Sequence, residues 1–167
     1  MFASKEGKVV KVGIAQMDVV KSPDTIRTSG LGSCVGVVLY DETKKVAGLV
    51  HIMLPDSSLS RSETINCAKF ADTGIQGLLE MLLVEGAQKY RLKAKIAGGA
   101  QMFQFASDKN MMRIGPRNVE AVKKVLKELG IPLIAEDTGG NSGRTIEFDP
   151  DTSKLMIRTV NKGVSEI

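Results

Sequence analysis

Two β-rich runs, Cys34 to Tyr40 and Val46 to Leu54, are separated only by the polar stretch Asp41-Glu42-Thr43-Lys44-Lys45. Five residues cannot hold the crossover helix that parallel neighbours need, so the runs read as an antiparallel hairpin. Further strands are read at Val10 to Ile14, where apolar residues alternate with Lys11 and Gly13, and at Leu92 to Ala97, Ile131 to Ala135, Thr145 to Phe148 and Leu155 to Val160. Pro23-Asp24 marks a turn, and Asp149 to Lys154 links the last two strands.

Helical spacing occurs twice. From about Ser62 to Gln88, Ala68, Ala71, Ile75, Leu78, Leu79 and Leu82 recur at three and four residues, predicting an amphipathic helix packed on a sheet. The second helix opens near Pro116, lines one face with Val119, Val122, Leu126 and Leu129, and closes at Gly130 with Pro132. Strands outnumber helices and several are joined by short loops, so a regular βαβ alternation does not fit and a layered α+β fold is expected.

The 167 residues carry no internal repeat, low-complexity tract or linker, so residues 1–167 read as one domain. No apolar run approaches the roughly 18 to 20 residues of a membrane helix, and the N-terminus lacks the apolar core of a secretory signal. A cytoplasmic protein without membrane insertion is expected, in which both cysteines stay reduced. The net charge of +4 comes from Lys and Arg dispersed along the chain, and aromatic residues are only 4%, a poor match to nucleic-acid binding.

One histidine and two cysteines are available for chemistry. Cys34 lies in Gly30-Leu31-Gly32-Ser33-Cys34-Val35-Gly36, where glycines let a substrate approach sulfur and let the backbone N–H groups of Gly32, Ser33 and Cys34 converge on an oxyanion. A small buried apolar residue at a strand start is the alternative reading of Cys34. His51 lies in Leu49-Val50-His51-Ile52-Met53-Leu54, and a core histidine satisfied by a carbonyl is its alternative.

The hairpin brings the two together, and a nearby imidazole is expected to lower the thiol pKa and generate the attacking thiolate. Thr28 and Ser33 are the nearest candidates for a third group that fixes the imidazole tautomer. Cys67, beside Ala68 and the apolar stripe, reads as structural. One His with two Cys in unlike settings offers no zinc-ligand spacing, and neither a dinucleotide fingerprint nor a Gly-Lys-Ser/Thr phosphate loop occurs, so no metal or cofactor is expected.

These residues resemble the CheD family of bacterial chemoreceptor glutamine deamidases. The resemblance rests on Gly30 to Val35, Val50 to Ser57, Ala71-Asp72-Thr73, Lys95 to Ala100 with Met102-Phe103, Ile114 to Asn118 and Glu136 to Asn141. It implies a four-layer α/β/β/α sandwich similar to the catalytic domains of cytotoxic necrotizing factors. It also implies Cys34 as nucleophile, His51 as base and Thr28 rather than Ser33 as the third residue, while Cys67 stands outside the pattern.

The reaction implied is hydrolysis of glutamine side-chain amides on methyl-accepting chemoreceptors, through a thioester with release of ammonia, at an open groove. The implied partner is the phosphatase CheC, for which Phe103 is the candidate anchor, a core aromatic being its alternative. A monomer is expected. Hydrolysis of receptor glutamyl methyl esters at the same site, or a mainly non-catalytic adaptor role towards receptor and CheC, are the competing readings.

Overall fold

The computed structural model describes residues 6–60, 63–102 and 113–167. The expected hairpin forms its centre: β4 (Val35–Asp41) and β5 (Val46–Ile52) pair antiparallel with Gly36 opposite His51, and every residue of both strands is buried. Both strands therefore read as continuous apolar runs, because each of their faces is covered.

β2 (Met17–Lys21) pairs with β5, β6 (Lys93–Gly98) pairs with β4, and β7 (Leu133–Thr138) lies parallel to β6. These strands form a sheet of order β2-β5-β4-β6-β7. The second sheet has the order β1-β3-β8-β9-β10, from Val9–Val12, Thr25–Leu31, Arg144–Asp149, Lys154–Thr159 and Gly163–Glu166. Its β1 and β3 run parallel while its other neighbours run antiparallel, so both sheets are mixed.

The faces of β4 and β5 divide the core. Val35, Val37, Leu39, Val50 and Ile52 pack with Ile75, Leu78 and Leu82 of α1 (Ala71–Val84) and with Val122 and Leu126 of α2 (Ile114–Leu129). Val38, Tyr40, Ala47 and Leu49 pack instead with Ile26, Ile146, Phe148 and Ile157 of the second sheet. Each fully buried side chain of this size contributes about 1.5 to 3 kcal/mol. The described residues thus stack as helices, first sheet, second sheet. They include no helical layer on the second sheet's outer face, where the resemblance implied one.

Several boundaries differ from expectation. The long helix begins at Ala71, because Phe70 adopts an extended backbone and bridges Leu54, while Cys67–Lys69 form a short 3-10 turn capped by Asn66. It ends at Val84, ahead of Gly86 with φ of 97°. The second helix closes as expected on Gly130, whose φ of 73° is left-handed and whose N–H reaches the Leu126 and Lys127 carbonyls.

The first strand stops at Val12, and Ile14 is exposed in the turn that follows. One βαβ unit occurs after all: β6, α2 and β7 form a parallel crossover. Among the described residues, no helix is long and apolar enough to cross a membrane. Phe103 lies outside the described residues.

Candidate active site

His51 follows Ala47 and Leu49 on the face of β5 that looks toward the second sheet, and it is fully buried. There it meets Thr28 of β3. Thr28 Oγ1 lies 2.7 Å from the Val12 carbonyl oxygen and 2.8 Å from His51 Nδ1. A hydroxyl carries one hydrogen and the carbonyl can only accept, so Thr28 donates to Val12 and accepts from Nδ1–H. The tautomer follows: Nδ1 holds the proton and Nε2 keeps its lone pair.

Among the described residues, His51 Nε2 is buried and has no hydrogen-bond partner. Burial pushes the His51 pKa down to about 4.

Cys34 stands one residue before β4, on the same face as His51, and packs against the inter-sheet core. The register sets Gly36 opposite His51, so Cys34 is its diagonal neighbour, a relation that corresponds to roughly 7 Å between Cα atoms. Gly36 has no side chain to fill the corner, and a Cβ there would meet Ile146 Cδ1 at 2.7 Å and Leu31 Cδ1 at 3.2 Å.

Burial pushes the Cys34 thiol up, opposed by its own backbone amide. This differs from the expected lowering by imidazole. Desolvation acts on both groups and disfavours both charges, which favours a neutral thiol beside a neutral imidazole.

The segment carrying Cys34 is held through its carbonyls. Ala100 N–H donates to Gly32 O and Gly99 N–H to Cys34 O, each at 2.8 Å, while Asn118 Nδ2 donates to Ser33 O at 3.0 Å. Of the expected oxyanion donors, Gly32 N–H is already taken by Gly30 O at 3.1 Å. Among the described residues, the Ser33 and Cys34 N–H groups donate to no backbone carbonyl, and the Cys34 N–H faces its own thiol.

Gly98 makes this close approach possible. Its φ of 115° is left-handed, and a Cβ there would stand 2.3 Å from Cys34 O. Asn118 and Gly98 were in plain view in the sequence, but neither carries a signal there that separates a site residue from a capping or turn residue.

Other candidates fall elsewhere. Ser33 supplies backbone to the segment that carries Cys34, and it is Thr28 that touches the imidazole. Cys67 is exposed in the 3-10 turn before α1. A cleft of about 450 Å³ lined by Pro55, Asp56, Asp72, Arg117 and Lys124 lies beside α2 and includes none of Thr28, Cys34 and His51.

The chain matches the family model described as CheD chemotactic sensory transduction over residues 53–159. That span begins after His51, but longer relatives run across the site. A Halalkalibacterium halodurans protein named chemoreceptor glutamine deamidase CheD is 65% identical over 159 residues, covering 95% of this chain and 98% of that one. The protein of the same name from Bacillus subtilis is 56% identical over 166 residues, covering 99% of this chain and 100% of its own.

A solved Neisseria meningitidis structure of the DUF152 family aligns with a TM-score of 0.48 at 10% identity, over 80% of this chain and 64% of that one. The family match and the full-length relatives decide the assignment: the chain belongs to the CheD family of chemotactic sensory transduction proteins.

Proposed function

We propose that this protein is a chemoreceptor glutamine deamidase that hydrolyses glutamine side-chain amides with Cys34 as nucleophile, His51 as proton carrier and Thr28 as the group that sets the imidazole tautomer. The observation that carries the reading is the Thr28 hydroxyl between Val12 O and His51 Nδ1, which leaves Nε2 basic and unpartnered on the face shared with Cys34. The names of the full-length relatives support the substrate class.

Because thiol and imidazole start neutral, the proton moves as the bond forms. Cys34 Sγ attacks the amide carbon while His51 Nε2 takes the thiol proton, and the carbonyl oxygen becomes an oxyanion facing the Ser33 and Cys34 N–H groups. The imidazolium is stabilised through Nδ1–H donating to Thr28. Nε2 then gives its proton to the departing nitrogen, the C–N bond breaks, and ammonia leaves behind a thioester.

Water attacks the thioester while Nε2 accepts one of its protons. Collapse expels sulfur, which recovers that proton, and the receptor side chain is left as glutamate. A CheC-type phosphatase anchored by Phe103 belongs to the same proposal, with Phe103→Ala expected to weaken that complex. The enzymatic core is tested by ammonia release from a recombinant receptor cytoplasmic fragment. Wild type releases it and Cys34→Ala does not; equal release from both sinks the scheme.

A further inference from the structure

We infer that Asn118 is a positioning residue for the oxyanion site, holding the Ser33–Cys34 peptide so that the Cys34 N–H faces the developing charge. The inference rests on the deamidase reading above and adds to it a residue that does not touch substrate.

The hairpin ladder forks at the site. Beyond the pair Val35 and Ile52, a regular ladder would bring Ser33 opposite Leu54 and exchange hydrogen bonds between them. Leu54 is used elsewhere: its N–H donates to Lys69 O and its carbonyl accepts from Ala71 N–H, each at 3.0 Å. Ser33 is thereby left without its ladder partner.

Asn118 enters the fork from α2. It is fully buried, and its Nδ2 lies 3.0 Å from Ser33 O and 2.9 Å from Met53 O. Both neighbours are carbonyls that only accept, so the amide can be oriented in one way alone, with its NH₂ toward them. A single side chain therefore ties the residue before the nucleophile to the strand that carries His51.

The consequence for catalysis comes from peptide planarity. The Ser33 carbonyl and the Cys34 N–H belong to one planar trans unit and point in opposite directions. With Ser33 O fixed on Asn118 and Cys34 O fixed on Gly99 N–H, the Cys34 N–H is aimed away from the fork. Among the described residues it meets no backbone carbonyl there and faces the Cys34 thiol, the side on which the oxyanion forms. Asn118 Oδ1 is itself buried and has no partner among the described residues, so the side chain is kept at a polar cost that its two donated bonds must offset.

The test compares Asn118→Ala and the near-isosteric Asn118→Asp with wild type and Cys34→Ala. Deamidation of a receptor fragment needs the oxyanion donor, whereas alkylation of Cys34 by iodoacetamide forms no oxyanion and reads the thiol alone. Both Asn118 variants are expected to lose about 100-fold in kcat, the scale of a lost oxyanion donor, with KM within about twofold. The rate of Cys34 alkylation, read by peptide mass to separate it from Cys67, should stay within about twofold of wild type, with its pH midpoint unchanged.

Near-wild-type kcat in both variants overturns the inference. So does alkylation falling in step with kcat, or failure of both variants to fold, since each assigns Asn118 a purely structural role. Failure of the deamidase reading looks different: wild type then releases no ammonia, or Cys34→Ala releases it equally.

Discussion

Replacing Thr28 by Val tests the tautomer argument at nearly constant volume. The hydroxyl that accepts from His51 Nδ1–H and donates to Val12 O becomes a methyl group, in a site where Thr28 is 2% and His51 0% exposed. Water cannot replace it. In the resting enzyme this strands a buried donor and weakens the preference for the Nδ1–H tautomer. In the transition state it removes the acceptor facing an imidazolium, an interaction of about 1.5 to 3 kcal/mol.

At 1.36 kcal/mol per decade, kcat should fall roughly 10- to 150-fold. Thr28→Ser keeps the hydroxyl and should recover most of the rate. Ammonia release gives the kinetics, and nitrogen-15 NMR of the imidazole gives the tautomer without assignment, because the chain holds a single histidine. The wild-type ring should carry its proton on Nδ1, and the Val variant should shift toward Nε2–H. Unchanged kcat in Thr28→Val, or a wild-type ring protonated on Nε2, refutes the reasoning.

Three further outcomes follow from the same geometry. The folded His51 pKa of about 4 lies below the ordinary 6.5, so between these values the unfolded chain binds more protons. The His51 contribution, about 3 kcal/mol, is complete above pH 6.5 and is lost as pH falls toward 4. Denaturant unfolding of wild type and His51→Gln should differ in slope over that window, and identical slopes would contradict it. Cys34 alkylation should rise with pH up to a midpoint above the ordinary thiol value, whereas a plateau near neutrality would mean a preformed ion pair. Gly98→Ala would set a Cβ 2.3 Å from Cys34 O at a left-handed φ, so it should lower the melting temperature and abolish ammonia release; a wild-type melt would count against the packing described.

The sequence made the central strands legible because β4 and β5 are covered on both faces, and α2 legible because Pro116 and Gly130 punctuate one stripe. It hid β3. Thr28, Ser29 and Gly30 break any apolar pattern there, since Thr28 is a buried polar residue held between Val12 O and His51 Nδ1 and Gly30 takes a φ of 73°. It also hid β10, whose four residues are all exposed.

The start of α1 lies later than the spacing suggests, because Ala68 continues the apolar spacing while belonging to a 3-10 turn, its burial arising from tertiary packing. At the site, the hairpin alone brought Cys34 and His51 near each other. Position along the chain leaves Thr28 and Ser33 as candidates for the third group, the family resemblance favours Thr28, and it is the Thr28 hydroxyl that meets the imidazole. The desolvation of the two groups is not legible, because it depends on the second sheet covering this face, and no local pattern records that.

The most direct test of the account is peptide mass mapping of a recombinant receptor cytoplasmic domain after incubation with wild type and with Cys34→Ala. Wild type should convert particular glutamines to glutamate, each with the gain of about one dalton that replacing –NH₂ by –OH produces, and Cys34→Ala should leave them unchanged. A wild-type map with glutamines intact, or with only methyl esters removed, or conversion that persists in Cys34→Ala, would contradict it.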